Sequence, residues 1–288
     1  MLNILISWPY LTPEVVRFIG DHAEHIRLLV DSGAFTNWKA GRDTNLNDYI
    51  EFINGLPITP WRYFSLDRIG DAETTWKNLM VMRDQGLTPV PVFTRGTDPA
   101  ILDQMYEFSD LVGLGVGVGS PNYRGYVRWI TEQNQGRPLH WLGVANPALL
   151  RYYTPYSADT SSWEAGARYG TQPIYLGKGV FKKYSRKMAR VIAPSPEQWR
   201  AIELCGMDPK LFQHEHSWRG GYSPIRALGA RCWVRFSMEV ESFGTYFFLS
   251  TAVFSGLHLV LDGYLYFKGV TCNSCSYHQE VNTASPDP

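Results

Sequence analysis

Three aspartates in this sequence each sit at or just inside the end of a short apolar run. Asp31 closes "IRLLVD" (26–31), Asp67 closes "RYFSLD" (62–67), and Asp159 follows Ala158 in "YSADTSSW" (156–163). After Asp31 the chain turns at once to the small residues Ser32, Gly33 and Ala34, which leave an approach open. Carboxylates gathered in a partly desolvated pocket divide roles, one ionised as a nucleophile and another tuned as a proton donor or acceptor. Paired carboxylates also suit substitution at an anomeric carbon, where the transition state is oxocarbenium-like. A single aspartate in such a position equally well caps the helix that follows. Three of them, each after an apolar run, favour a shared site.

The elements that must position these residues follow from the rhythm of the chain. Apolar runs recur at 3–8, 26–31, 62–67, 89–93, 110–116 and 139–144, with helix-like stretches between them at 13–23, 46–54, 71–86, 98–108, 121–134 and 146–153. The stretch 71–86 is the clearest helix, with Trp76, Leu79, Met80 and Arg83 at helical spacing after the acidic start of Asp71 and Glu73. Pro99 just inside Asp98 marks another helix start. Alternating strands and helices imply βαβ units and a mainly parallel sheet. Further strand candidates at 156–160 and 173–176 bring the expectation to an α/β fold of the (β/α)8, TIM-barrel type, with appended C-terminal elements. Chemistry in such a barrel sits where strands end and loops begin. The strand ends then collect Asp31, Asp67, Thr94-Arg95-Gly96, the glycines Gly113, Gly115, Gly117 and Gly119, the segment "GVANP" (143–147), and Asp159. Glycines there allow a flat ligand to approach the backbone.

Past residue 177 the rhythm fades, so residues 1–177 are read as the main part of the barrel, 178–279 as a basic segment with barrel closure and appended elements, and 280–288 as a disordered tail. The segment "GKGVFKKYSRKMAR" (177–190) carries Lys178, Lys182, Lys183, Arg186, Lys187 and Arg190 with no acidic residue. It reads either as a phosphate-binding patch or as a solvated surface helix. Helix is expected near 195–205, a loop over 208–224, and apolar structure over 242–267.

Composition excludes several classes. The 288 residues are 44% hydrophobic and 19% charged, which suits a folded domain with a substantial core. Twenty-seven basic residues balance 27 acidic ones, so a polyanionic partner has to be met by a local patch. The start "MLNILISWPYL" lacks signal-peptide character, and a reducing, cytoplasmic setting without disulfides is expected. Residues 242–261 are uncharged, but their Ser, Thr, Gly and His258 favour buried structure over a membrane span. No GxGxxG motif opens a helix after the first strand, which counts against a dinucleotide site. His214 and His216 read as a solvent-facing pair, and Cys272, Cys275 and His278 as free side chains rather than a zinc site. No metal and no cofactor are expected.

The motifs "DSGAF" (31–35), "SLD" (65–67), "GLGVG" (113–117), "LHWLGVANPALL" (139–150) and "ADTSSW" (158–163) stand in the order found in the tRNA-guanine transglycosylase superfamily, which this chain resembles over about residues 25–170. The resemblance implies a barrel that exchanges guanine in a nucleic acid for a 7-deazaguanine through a covalent glycosyl-enzyme, without a redox cofactor. It implies Asp159 as the nucleophile and Asp31 as the group handling protons at the purine edge. It further implies base binding by Asp67, by Phe35 through stacking, and by Ser32, Gly33, Arg95, Gly113, Leu114, Gly115, Leu142 and Gly143. The chain departs from the tRNA enzymes in lacking their CxCxxC…His zinc site. Val118 stands where they carry an acidic residue, and "SSWEAGARYG" (161–170) replaces their arginine-containing loop.

Those departures make the chain most similar to the DNA-guanine transglycosylases of the DpdA type, found in phages and bacterial DNA-modification clusters. The implied partner is DNA together with a preQ0-like 7-deazaguanine base. Two alternatives stay open: the same exchange on tRNA, and a noncatalytic nucleic-acid-binding subunit of the superfamily. Homodimers are common among such enzymes, and the apolar 242–267 stretch suits a dimer face as well as a core.

Overall fold

The computed structural model describes residues 1–115 and 122–270. In chain order its strands are β1 (Leu2–Ser7), β2 (Ile26–Asp31), β3 (Arg62–Tyr63), β4 (Val92–Phe93), β5 (Val112–Gly115), β6 (Leu139–Leu142), β7 (Ser157–Thr160), β8 (Thr171–Gly177), β9 (Val180–Ser185) and β10 (Tyr246–Ser250). The helices are α1 (Pro13–Asp21), α2 (Ala34–Lys39), α3 (Leu46–Gly55), α4 (Ala72–Asp84), α5 (Ile101–Phe108), α6 (Tyr123–Gln133), α7 (Pro147–Tyr153), α8 (Ala165–Tyr169), α9 (Arg186–Ala189), α10 (Pro196–Leu204), α11 (Pro224–Glu241) and α12 (Phe254–Lys268). Side-chain caps open several of them. Thr12, Asp71, Asn146 and Ser195 each accept from a first-turn amide.

The chain forms two compact units: Met1–Ser162 with Glu239–Ala252, and Trp163–Met238 with the chain from Val253 onward. The first break therefore falls after Ser162 and not at residue 177. In the first unit eight strands form one sheet in the order β3-β2-β1-β10-β7-β6-β5-β4, and every pairing is parallel. Next to the two edge strands, Val90 N donates to Tyr63 O (2.8 Å) and Ser65 N donates to Val90 O (2.9 Å). The sheet is thus curled, and its parallel order is compatible with a TIM-like barrel.

One expected strand is placed differently. The stretch 173–176 does not join this sheet; it lies within β8, which pairs antiparallel with β9. The reason is local. Lys178 and Gly179 both take positive φ (54° and 74°), the conformation of a tight two-residue hairpin turn, and β9 follows at once as a partner. The eighth strand is instead β10, "YFFLS", which lies between β1 and β7.

Period-two alternation sorts the sheet into two faces. On β1 and β2 the register pairs Asn3 with Arg27, Leu5 with Leu29, and Ser7 with Asp31. Leu5, Leu29, Phe64, Val90, Val92, Leu111 and Phe248 form one buried cluster, so this face of the sheet is the inner one. Below the cluster, Arg27 donates to Asn3 and its guanidinium lies 4.6 Å from the Tyr246 ring centre. Above it, toward the carboxyl ends, the same face turns polar at Ser7 and Asp31. A second cluster, of Ala34, Tyr49, Ile50, Leu66 and Met82, packs α3 and α4 against the outer side.

In the second unit, the capping box of Ser195 and Gln198 opens α10, and the ion pairs Glu164–Arg226 (2.6 Å) and Arg231–Asp262 (2.9 Å) are largely buried. Cys205 and Cys232 are buried free thiols. Among the described residues no helix is long and apolar enough to cross a membrane. The glycines Gly117 and Gly119, Val118, the trio Cys272, Cys275 and His278, and the 280–288 tail lie outside the described residues.

Candidate active site

The carboxyl end of β2 carries Asp31, and its neighbours hold it firmly. Ser7 Oγ, at the matching end of β1, donates to Asp31 Oδ2 at 2.6 Å, and Gly33 N donates to the same oxygen at 3.0 Å. Gly33 starts α2 with φ +75°, and a Cβ there would lie 2.5 Å from Pro9 Cδ. Both the backbone conformation and the space demand glycine. Ser32, fully buried, turns the other way: its Oγ donates to Asp67 Oδ1 at 2.9 Å and accepts from Ala34 N at 3.3 Å. The run "DSG" therefore binds two carboxylates to one strand end. Tyr49 OH donates to Phe64 O (2.8 Å), pinning the segment that leads to Asp67.

Asp159 lies two strands from β1, within β7, and is only 6% exposed. Gly143 N, in a positive-φ turn after β6, donates to Asp159 Oδ1 at 2.7 Å. His140 Nε2 lies 3.3 Å from the same oxygen, and His140 Nδ1 lies 2.8 Å from Ser157 Oγ. In the tautomer with its proton on Nε2, the ring donates to Asp159 and accepts from Ser157. The ring sits between Phe64 (centroids 5.1 Å) and Phe248 (5.9 Å), which fix its plane. Both contacts fall on Oδ1, so the two oxygens of Asp159 are held unequally.

Two of the three carboxyl groups are shifted from their ordinary range. Burial raises Asp31 above the ordinary carboxylate range, and the charge of Asp159 adds to that; the hydrogen bonds from Ser7 and Gly33 and the nearby His140 oppose it. Burial, reinforced by the charge of Asp31, pushes Asp67 up to about 7, against the hydrogen bond from Ser32. Burial and the same carboxylates keep the Tyr49 phenol neutral. The arrangement sets two carboxyl groups with raised pKa, Asp67 at about 7, at the same strand ends as a third carboxylate fixed through one oxygen. A cleft of about 540 Å³ adjoins it, lined among others by Ala34, Trp38, Arg42, Asp67 and Arg68. A second cleft of about 330 Å³, between α4 and α5, does not reach the carboxylates.

The other residues expected at the site fall into two groups. Phe35 sits on the first turn of α2, beside Asp31, and Leu142 packs on the inner cluster. Gly113 lies opposite His140 in the β5–β6 register, and a Cβ there would lie 2.7 Å from Cε1 of Phe64. Its first service is to make room for that ring. Leu114 is fully buried, Gly115 ends β5, and Arg95 is exposed beyond β4 with its guanidinium 5.7 Å from the Tyr126 ring centre.

The basic segment is not a single helix but a hairpin strand followed by the short α9. Its charge is partly answered: Lys182 pairs with Glu197 (3.4 Å), and Arg186 (3.6 Å) and Arg190 (3.2 Å) pair with Glu215. Lys183 and Lys187 project as exposed cations, and Lys178 forms the hairpin turn. His214 and His216 are exposed and stacked at 5.5 Å. Among the described residues no group of three or more His, Cys, Asp or Glu side chains is placed to hold a metal ion.

Sequence reasoning passed over His140, Ser7, Trp38 and Arg42. His140 opens its apolar run instead of closing it, so strand-end position does not flag it. Its period-two relation to Leu142, with Ser157 and Asp159 on the neighbouring strand, is the signal that finds it. Comparison with protein-family models, with curated proteins and with solved structures finds no match.

Proposed function

We propose that the protein is a pentosyltransferase that exchanges guanine in DNA for a 7-deazaguanine derivative, on a closed (β/α)8-type barrel, through a covalent aspartyl-glycosyl intermediate. The observation that carries the reading is the unlike environment of three carboxylates at one end of one sheet. Asp159 has one oxygen tied by Gly143 and His140, while burial raises Asp31 and lifts Asp67 to about 7. That division is what a retaining double displacement at an anomeric carbon requires.

In the first step Asp159 Oδ2 forms a bond to C1′ of the target nucleotide, the C1′–N9 bond breaks, and the electron pair leaves with guanine. The protonated carboxyl of Asp31 gives its proton to the departing purine. Asp67 faces the purine's N–H donors, and Phe35 covers its face. In the second step the incoming 7-deazaguanine returns its N9 proton to Asp31 and attacks C1′, and the C1′–O bond to Asp159 breaks. Two inversions give net retention, and no electrons are exchanged with any cofactor. In a duplex the guanosine has to leave the stack before C1′ is accessible. The exposed lysines of β9 and α9 suit phosphate contacts.

The test offers labelled guanine with single-stranded DNA, duplex DNA and tRNA in parallel. Incorporation into DNA, lost in Asp159→Ala, is expected. Incorporation into tRNA alone moves the substrate to RNA, and incorporation into none overturns the reading.

A further inference from the structure

The cleft beside Asp67 is built for more than the base that reacts. We infer that it holds the nucleotide next to the exchanged guanosine, with Trp38 stacking on that neighbour's base and Arg42 meeting its phosphate. This rests on the function proposed above. Phe35 and Trp38 lie three residues apart on α2, their ring centres 5.7 Å apart and tilted by 32°, which makes a two-ring platform. Phe35 is half-buried at the Asp31 end of that platform, while Trp38 is 58% exposed. A tryptophan left this open on a six-residue helix contributes nothing to packing comparable with what it offers a flat ligand.

Of the two rings, Trp38 is the one that lines the cleft. It shares that cleft of about 540 Å³ with Asp67, and Phe35 packs on the Trp38 ring from the turn that follows Asp31. Charge in the lining is unevenly distributed. Asp43 is bound to Arg68, which neutralises that pair. Arg42, exposed and in the same lining, has no carboxylate partner among the described residues. Its backbone is anchored, with Arg42 N donating to Asn37 O at 2.9 Å, so the guanidinium projects from a fixed point. An aromatic face and a guanidinium lining one cleft are the means by which proteins hold consecutive nucleotides of an extruded strand. The volume suits one nucleotide.

The test measures binding of a labelled 12-nucleotide single-stranded DNA with one central guanine, and of the same strand with abasic positions flanking that guanine. Trp38→Ala is expected to weaken the intact strand about 5- to 100-fold, as loss of one base stack does. It should have little further effect on the abasic strand, because the base it stacks on is gone. Trp38→Phe should recover most of the loss. Arg42→Gln should weaken both strands and lower the slope of log affinity against log salt by about 0.7. Circular dichroism checks that the variants remain folded. Wild-type affinity in Trp38→Ala, an equal loss on both strands, or no measurable binding by the wild type overturns the inference.

The two readings fail separately. Base exchange unaffected by Trp38→Ala and Arg42→Gln would sink this subsite alone. Trp38-dependent strand binding without any exchange would sink the proposed chemistry and leave only a strand-binding subsite at Trp38 and Arg42.

Discussion

Asp159 carries both its hydrogen bonds on one oxygen, from Gly143 N and from the His140 ring, and that asymmetry sets its chemistry. Asp159→Asn keeps the shape and removes the proposed nucleophile; it is expected to abolish exchange and to give no covalent adduct by intact-protein mass spectrometry. In the proposed reaction His140 acts through Asp159 as a positioning residue. His140→Phe suits a pocket already walled by Phe64 and Phe248 and removes the hydrogen bond. The expected result is a kcat lower by about 10- to 100-fold, the worth of one hydrogen bond to a charged group, with KM within about twofold. Asp67 links the site to stability. Its pKa is about 7 in the folded chain against an ordinary 3.8, so the native state binds the extra proton between those values. Stability therefore falls as pH rises through that window, by at most about 1.4 kcal/mol per pH unit from this group. Asp67→Asn should flatten that fall and raise the melting temperature at pH 8, while lowering activity. A melting profile unchanged from pH 4 to 8 would contradict the assignment.

At the scale of elements, the site depends on strands that are short but tightly registered. Only residues on the inner face can reach the mouth, and period two selects Ser7, Asp31, His140 and Asp159 together with the apolar layer beneath them. Gly113 shows how little slack that layer has, because any side chain there meets the Phe64 ring. Gly113→Ala is expected to cost about 1–3 kcal/mol in urea unfolding through overpacking. It should also displace the ring that supports His140, so activity falls with stability. Much of this scale is legible in the sequence. The helices at 13–21, 46–55, 72–84 and 147–153 match the periodicity and the capping residues, because both signals are local. The short α2 escapes that reading: six residues are too few to show a helical period, and its start depends on Gly33 in a left-handed conformation.

For the molecule as a whole, the decisive feature is where the sheet receives its eighth strand. The chain leaves the first unit after Ser162, builds the second, and returns with β10 between β1 and β7. Ile4 pairs with Leu249 and Asp159 with Phe248, so both flanks of β10 are needed to hold the strand of Asp159 in the sheet. A fragment ending at Ser162 leaves β1 and β7 with unpaired edges. It is expected to aggregate or to lack cooperative unfolding by circular dichroism and gel filtration. A stable, cooperatively melting monomer would show that β10 is dispensable.

What the sequence by itself determined is local: which runs become strands, where helices begin, and that Asp31, Asp67 and Asp159 stand at the ends of apolar segments. Those facts depend on neighbours within a few residues. The tertiary structure alone decided that β10, and not the stretch 173–176, completes the sheet. Both stretches are apolar and strand-forming, and the choice turned on a two-residue hairpin turn and on pairing across most of the chain. It also decided that His140 faces Asp159, since facing is a matter of register between strands, and that Trp38 and Arg42 share a cleft with Asp67. Register and cleft are non-local quantities, fixed only when burial selects one pairing among many that local preference would permit.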